Sequence, residues 1–215
     1  MKKQYVVFGG GKFGGSIAVT LQQLGCEVIL VDCKPELIQE MADKVSYAYC
    51  ANVEDTEVFK ELGLRNLDGA IVAFTENLEA SIVTTMMCKE MGIPRILAKA
   101  KNAMHEKILR SIGAQKIIYP EVEMGRRVAK YLVADNFADW IELSPQYSMV
   151  EMVMPREWCG KTLLDLKVRE KYRLNVIGIK DGDTVNVTPD PKMILRAGTI
   201  VIVVGENKDL EVFRN

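Results

Sequence analysis

Short apolar runs recur along the first 120 positions, and each is followed by a stretch whose apolar residues return every three or four places. QYVVF at 4–8 predicts a strand. The next stretch predicts a helix over 13–24, with Phe13, Ile17, Leu21 and Leu24 on one face. EVILV at 27–31 predicts a second strand, and Leu37, Ile38 and Met41 a helix opened by Pro35 in its first turn. A third strand is expected at 47–50, a helix over 54–62 ended by Gly63, and a fourth strand over 69–74. The helix expected at 78–91 carries Leu78, Ile82, Val83, Met86 and Met87 at helical spacing. A strand at 96–98, a helix at 103–112 and a strand at 116–119 complete the series. A strand roughly every 20–25 residues with a helix between is the period of βαβ units, and right-handed crossovers place such strands in one parallel sheet. The runs are apolar throughout and do not alternate, which suits a sheet covered on both faces.

The texture changes after Pro120. Residues 121–140 read as one or two helices with no strand between them. Beyond 142 come the short strands MVEMVM, NVIGI, DTVNV and TIVIVVG, a short helix over 162–168, and turn signals at Asp181-Gly182-Asp183 and Pro189-Asp190-Pro191. The expected organisation is an α/β, Rossmann-like doubly wound parallel sheet over 1–120, a helical connection over 121–141, and a small α+β lobe over 142–215.

Composition narrows the class. The 215 residues are 48% hydrophobic and 27% charged, a soluble globular make-up, and the net charge of -1 supplies no basic field for nucleic acid. The opening MKKQYVVFGGGKFGG has too short an apolar run for a signal peptide, and no segment approaches a membrane helix. A cytoplasmic protein is expected, with any membrane association made through a partner. The five cysteines form no CxxC spacing and are expected to be reduced and mostly buried. The one histidine, His105, is expected on a helix, facing solvent or capping it.

The loop after the first strand carries candidate chemistry. Gly9, Gly11 and Gly14 form G-x-G-x-x-G between a strand and a helix. The first glycine permits the tight turn, the second lets backbone approach a phosphate, and the third lets the helix pack close to the sheet. The helix N-terminus then offers unpaired N–H groups to an anion. Asp32 lies 21 residues beyond Gly11, at the end of the second strand. A carboxylate there accepts from ribose hydroxyls and repels a 2′-phosphate, so the expected ligand is an NAD-type nucleotide or an adenosine di- or triphosphate.

Other positions fall around the same crevice. Lys12 and Phe13 belong to the loop, and the Lys12 side chain has its own nucleotide, a neighbouring subunit's nucleotide or solvent open to it. Cys33 follows Asp32. Asn52 and Val53 follow the third strand, where Asn52 has either an adenine edge or an Asx turn to serve. Ala73 and Phe74 end the fourth; Thr75, Glu76 and Asn77 follow it, and Asn77 either meets ligand or caps the next helix. Lys99 ends the fifth strand, placed for a phosphate or for solvent.

The runs VVFGGGKFGGSIAVTLQQLGCEVILVD, AYCANVEDTEVFKELGLRNLDGAIVAF, PRILAKAKN and IGAQKIIYPEVEMGRRVA resemble the cytosolic regulatory subunits of Trk/Ktr-type potassium uptake systems, the RCK proteins. GKTLLDLKVREKYRLNVIGIK and VTPDPKMILRAGTIVIVVGE resemble the RCK C-terminal lobe, so the resemblance spans nearly the whole chain. It implies ATP or ADP in the first lobe, with NAD(H) in some relatives, and puts ribose contact on Asp32 and phosphate contact on the glycine loop and Lys99. It implies helices after the sixth strand that cross to a partner and build a homodimer, and dimers that assemble into an octameric ring beneath a membrane potassium-translocating subunit. Nucleotide identity would then gate transport from the inner face of the membrane. Family members commonly carry arginine where this chain has Lys12, which keeps the charge but loses the bidentate fork. Glu121, in YPEVEMG, matches a glutamate that faces a divalent cation or Na+ at the dimer interface; its alternative role is a helix N-terminal carboxylate. In some relatives the second lobe binds cyclic di-AMP, for which Leu166, Val168, Arg169, Ile177 and Pro189 are the candidates here; a small-domain core with one surface arginine explains them equally well.

The resemblance implies a ligand-gated regulator and not an enzyme. Two other readings compete. An NAD-dependent oxidoreductase draws on the glycine loop and Asp32, but no second domain offers an evident proton donor. A redox sensor of NADH/NAD acting on DNA lacks a helix-turn-helix pattern and a basic surface.

Overall fold

The computed structural model describes residues 2–55, 57–64, 66–74, 76–133 and 136–213. The chain divides into two compact units, 1–121 and 122–215. The first is a six-stranded sheet in the order β3-β2-β1-β4-β5-β6, every pairing parallel. The strands are β1 Gln4–Phe8, β2 Glu27–Asp32, β3 Tyr47–Cys50, β4 Gly69–Val72, β5 Ile96–Lys99 and β6 Lys116–Ile118. The helices are α1 Lys12–Gln23, α2 Pro35–Met41, α3 Glu57–Glu61, α4 Leu78–Glu90 and α5 Ala103–Ser111.

Alternate residues of β1 feed two separate cores. Val7 joins Val28, Leu30 and Ile71 beneath Ala18 of α1 and Met41 of α2. Val6 and Phe8 join Val31 and Val72 beneath Phe59 of α3, Cys88 of α4 and Leu109 of α5. Both faces of β1 are therefore dry, which is why the strand reads as unbroken apolar sequence. Because β1 pairs with both β2 and β4, the chain reverses its direction of travel across the sheet there, and a crevice opens at the carboxyl ends of the strands.

In α1, Ile17 and Leu21 of the expected face pack on the core, and α4 turns part of its expected face outward. In α1, Leu24 is 74% exposed, and the buried positions are Gly14, Gly15 and Ala18. The start of the helix lies near the sheet where these small residues sit, while Ile17 and Leu21 pack part-buried on the core. In α4 the inward residues are Ala80, Ser81, Thr84, Thr85 and Cys88, while Leu78 and Met86 face outward.

The helix α6, Pro120–Val133, carries the chain into the second unit. The strand β7, Phe137–Glu142, follows and corrects the expectation of helix to residue 140. The misreading has a physical source. A β-bulge between Phe137 and Asp139 breaks the strict alternation, so Phe137 and Trp140 pack their rings 5.4 Å apart at a helix-like spacing.

The second unit is an antiparallel sheet, β10-β9-β11-β8-β7, with β8 Tyr147–Val153, β9 Asn175–Asp181, β10 Thr184–Asn186 and β11 Ile200–Glu206. Ser148, Val150 and Met152 of β8 point inward and alternate with more exposed neighbours. The Ser148 hydroxyl accepts from Trp140 Nε1 at 2.9 Å and donates to Asn207 Oδ1 at 2.7 Å, so its burial leaves it satisfied. Short helices α7 Leu163–Leu166 and α8 Val168–Tyr172 pack on a core centred on Trp158.

Candidate functional site

A crevice of about 350 Å3 lies at the carboxyl ends of β1, β2, β4 and β5. The glycine loop forms its floor. Gly9 turns off β1 with φ of 102°, a left-handed conformation that favours glycine. A Cβ on Gly14 would stand 1.9 Å from the Gly9 carbonyl oxygen, so α1 crosses directly against the turn. A Cβ on Gly11 would meet no atom within 4 Å, leaving its surface free for a ligand. Gly11 is the N-cap of α1, with no side-chain cap and no acidic residue in the first turn. The helix start is thus arranged for an external anion.

Asp32 ties the loop to β2. Its Oδ2 accepts from the Gly10 amide at 2.7 Å and its Oδ1 from the Lys34 amide at 2.9 Å. Each oxygen retains accepting capacity and Asp32 lines the crevice, so one carboxylate can both fix the loop and accept from a ribose hydroxyl.

The structure brings Gly9, Gly11, Asp32, Cys33, Asn52, Val53, Ala73, Asn77 and Lys99 together on the crevice wall. Lys12, Phe13 and Gly14 do not line it. Thr75 lies outside the described residues. Asn77 caps α4 by accepting from the Ala80 amide at 3.0 Å, and its Nδ2 donates to Glu54 at 2.5 Å, strapping the β3–α3 loop to the β4–α4 loop. Asn52 forms the Asx turn, accepting from the Glu54 amide at 3.1 Å. Both polar side chains are therefore engaged by the protein itself.

Lys99 has the most consequential surroundings. Its side chain is 13% exposed, its Nζ lies 5.8 Å from the Phe13 ring centroid, and it donates to Glu121 at 2.5 Å. That hydrogen bond is the main reason the Glu121 carboxyl sits below the usual glutamate range. Glu121 is the second residue of α6. Among the described residues no cluster of three His, Cys, Asp or Glu is placed to hold a metal ion.

His105 corrects one of the two placements expected for it, the solvent-facing one. It is 2% exposed rather than solvent-facing, and its Nδ1 accepts from the Lys101 amide at 3.3 Å. Its Nε2 is buried with no partner among the described residues, and burial pushes the imidazole below its usual range. The thiols also depart from expectation: Cys88 is buried and pushed up to about 12, whereas Cys33 and Cys50 are exposed.

In the second unit, Leu166 and Val168 are each 5% exposed and belong to the core, so they present little surface to a ligand. Arg169 donates from Nε to Asn175 at 2.8 Å, Ile177 is 41% exposed and Pro189 is half-buried. A concavity of about 570 Å3 has Leu166 in its lining, with Lys167 and Glu170, and another of about 490 Å3 lies away from these candidates; neither has a glycine loop or an Asp32 equivalent. Sequence reasoning missed Gly10, Lys34 and Glu54. The first two act through backbone amides, which side-chain identity does not report, and the third acts across a 23-residue separation.

A 3-2-1-4-5-6 parallel sheet, a glycine loop at its switch point and an acidic residue ending β2 define a protein of the Rossmann class. The TrkA-N domain model matches residues 5–120 and the TrkA-C domain model residues 149–215. Ktr system potassium uptake protein C of Bacillus subtilis (strain 168) is 43% identical over 99% of this chain and 96% of its own length. Protein A of the same system and organism is 38% identical over the same shares. The crystal structure of the GsuK RCK domain matches all of this chain and 47% of its own, at 15% identity and a TM-score of 0.66. The chain belongs to the Ktr/Trk family of potassium uptake proteins, with a TrkA-N domain followed by a TrkA-C domain. Among the described residues no helix is long and apolar enough to cross a membrane.

Proposed function

We propose that this chain is a nucleotide-responsive regulatory subunit that binds ATP or ADP in the crevice, with NAD(H) as the alternative, and gates a separate membrane subunit that translocates potassium. The observation that carries the reading is the Lys99–Glu121 ion pair. Lys99 lines the crevice and Glu121 lies in the first turn of α6. A phosphate at the glycine loop competes with Glu121 for one ammonium, so an anion in the crevice alters the start of the helix leading out of the first unit. Such a ligand shifts a conformational balance only by as much as it favours one state over the other. Di- and triphosphates differ in how far they reach toward Lys99, which supplies the difference.

Two uncovered apolar faces support assembly. On α4, Leu78 is 46% and Met86 39% exposed; on α6, Val122, Met124, Val128 and Leu132 are exposed. Two separate faces per chain are what a ring of dimers needs, since one closes the dimer and the other joins dimers. In that assembly Glu121 near a twofold axis has a cation as its second partner once Lys99 turns to phosphate. A non-enzymatic role accords with the lone histidine, whose Nδ1 is held by the Lys101 amide within the fold.

The test is calorimetric titration of ATP, ADP and NAD into the purified full-length chain, followed by potassium flux through the membrane subunit in liposomes. ATP and ADP should bind and give different fluxes, and Lys99→Met should abolish that difference. Equal flux with both nucleotides, or turnover of NAD with any small substrate, would overturn the proposal.

A further inference from the structure

Cys33 and Cys50 end neighbouring strands beside the crevice. Asp32 and Cys50 are register partners in the β2–β3 pairing. Parallel partners lie roughly 4.8 Å apart and Cys33 is one residue of about 3.8 Å further on, so the two cysteine Cα atoms stand roughly 6 Å apart, within the Cα range of a disulfide; the one-residue offset starts the two side chains on opposite faces, so closure requires the chain at Cys33, just past the end of β2, to turn. The Cys50 thiol already donates to the Cys33 carbonyl oxygen at 3.7 Å. Both cysteines are exposed, and β3 is an edge strand that can adjust toward β2. The remaining thiols are less available: Cys88 is buried, and Cys26 and Cys159 are half-buried.

We propose that Cys33 and Cys50 are a redox modification site, joined by a peroxide into a disulfide that weakens the crevice for its nucleotide. One thiol is oxidised by the peroxide to a sulfenic acid with release of water. The second thiol attacks that sulfur, forming the S–S bond and releasing a second water. Two thiols and one hydrogen peroxide thus give one disulfide and two waters, with both electrons passing from sulfur to peroxide oxygen. A small dithiol reverses the step by exchange.

The consequence runs through Asp32. Cys33 sits between Asp32 and Lys34, whose amide binds Asp32 Oδ1 while Gly10 binds Oδ2. Drawing Cys33 toward β3 turns the 32–34 corner, pulls the Lys34 amide from Oδ1 and re-aims the carboxylate that serves both the glycine loop and the ribose. The disulfide itself does not depend on the nucleotide reading, whereas its effect on affinity does.

The full-length reduced chain is treated with stoichiometric hydrogen peroxide, alkylated and mapped by non-reducing mass spectrometry with fragmentation, and ATP affinity is measured before and after. The expected result is an intrachain Cys33–Cys50 link and affinity lowered by about tenfold, the order of one charge-assisted hydrogen bond, with recovery in dithiothreitol. Cys50→Ser should bind ATP as the reduced wild type does and be indifferent to peroxide. A link to another cysteine or between chains, or no link, overturns the proposal, and so does a Cys33–Cys50 link that leaves affinity unchanged. Absence of nucleotide binding by the reduced wild type overturns the nucleotide reading and the affinity effect, while the mapping still decides the link.

Discussion

Gly11 is the N-cap of α1 and Gly14 lies in its first turn, three residues on, yet alanine at each should fail in a different way. Helix propensity alone predicts that Gly14→Ala stabilises α1 by about 1 kcal/mol. The new Cβ, however, would lie 1.9 Å from the Gly9 carbonyl oxygen and 2.9 Å from the Ala73 Cβ. The nearer neighbour is backbone fixed by the turn, and cannot rotate away. Overpacking of this kind costs about 3 kcal/mol, the upper end of its usual range, so the clash wins by about 2 kcal/mol. At an unfolding entropy of about 2.1 cal/mol/K per residue, that lowers the melting temperature of the first unit by roughly 8 °C. Gly11→Ala meets nothing within 4 Å and has an ordinary φ of -62°. It should melt within about 2 °C of the wild type, at a cap cost of a few tenths of a kcal/mol. Its methyl group enters the space a phosphate would fill, so calorimetry should show ATP binding lost. Thermal melts followed by circular dichroism measure the first effect. A Gly14→Ala chain that melts at or above the wild-type temperature, or a Gly11→Ala chain that binds ATP normally, would refute the packing argument.

Asp32→Asn should weaken ATP by about tenfold or more and speed hydrogen exchange at the Gly10 and Lys34 amides, since an amide group replaces one of two accepting oxygens with a donor; unchanged exchange at both would separate Asp32 from the loop. Glu54→Ala should release the Asn77 amide and loosen the two loops, visible as faster exchange over residues 76–80 with little change in melting temperature; exchange equal to the wild type would show the strap to be idle. His105 predicts a pH dependence. Burial lowers its folded pKa below the unfolded value of 6.5, so the unfolded chain takes up the proton first. Its contribution is therefore complete above the unfolded pKa and is lost as pH falls toward the folded one. Urea midpoints from about pH 7.5 to about pH 5 should fall more steeply for the wild type than for His105→Phe, and parallel curves would count against a buried neutral imidazole.

The parallel sheet was legible because its signals are local. Each βαβ unit repeats within a few tens of residues, and the glycine loop joins Gly9 to Gly14 through consecutive backbone. Asp32 was legible for the same reason, as the end of the second such strand. The site's wiring was not. Lys99 meets Glu121 across 22 residues and Asn77 meets Glu54 across 23, and neither spacing belongs to a helix or strand period. The strand at Phe137–Glu142 was hidden by its bulge, which set its two aromatic rings at a helix-like interval.

The inverted face of α4 shows where periodicity must fail. A hydrophobic pattern locates the core only if every apolar face is buried within one chain. Here Ser81, Thr84 and Thr85 are fully buried, and the Ser81 and Thr84 hydroxyls have no partner among the described residues. Thr85 is satisfied by donating to the Ser81 carbonyl at 2.8 Å. Burying two unpaired hydroxyls costs about 1–3 kcal/mol each. Rotating α4 about its axis would bury Leu78 and Met86 and return those hydroxyls to water. The small inward residues instead let the helix lie close to the sheet, and its larger apolar residues remain outside. An arrangement that forgoes burial within the chain is explained if a second chain supplies it. Such a face on α4 accords with the assembly proposed above, since an apolar period does not itself say whether its cover comes from the same chain or from a second one.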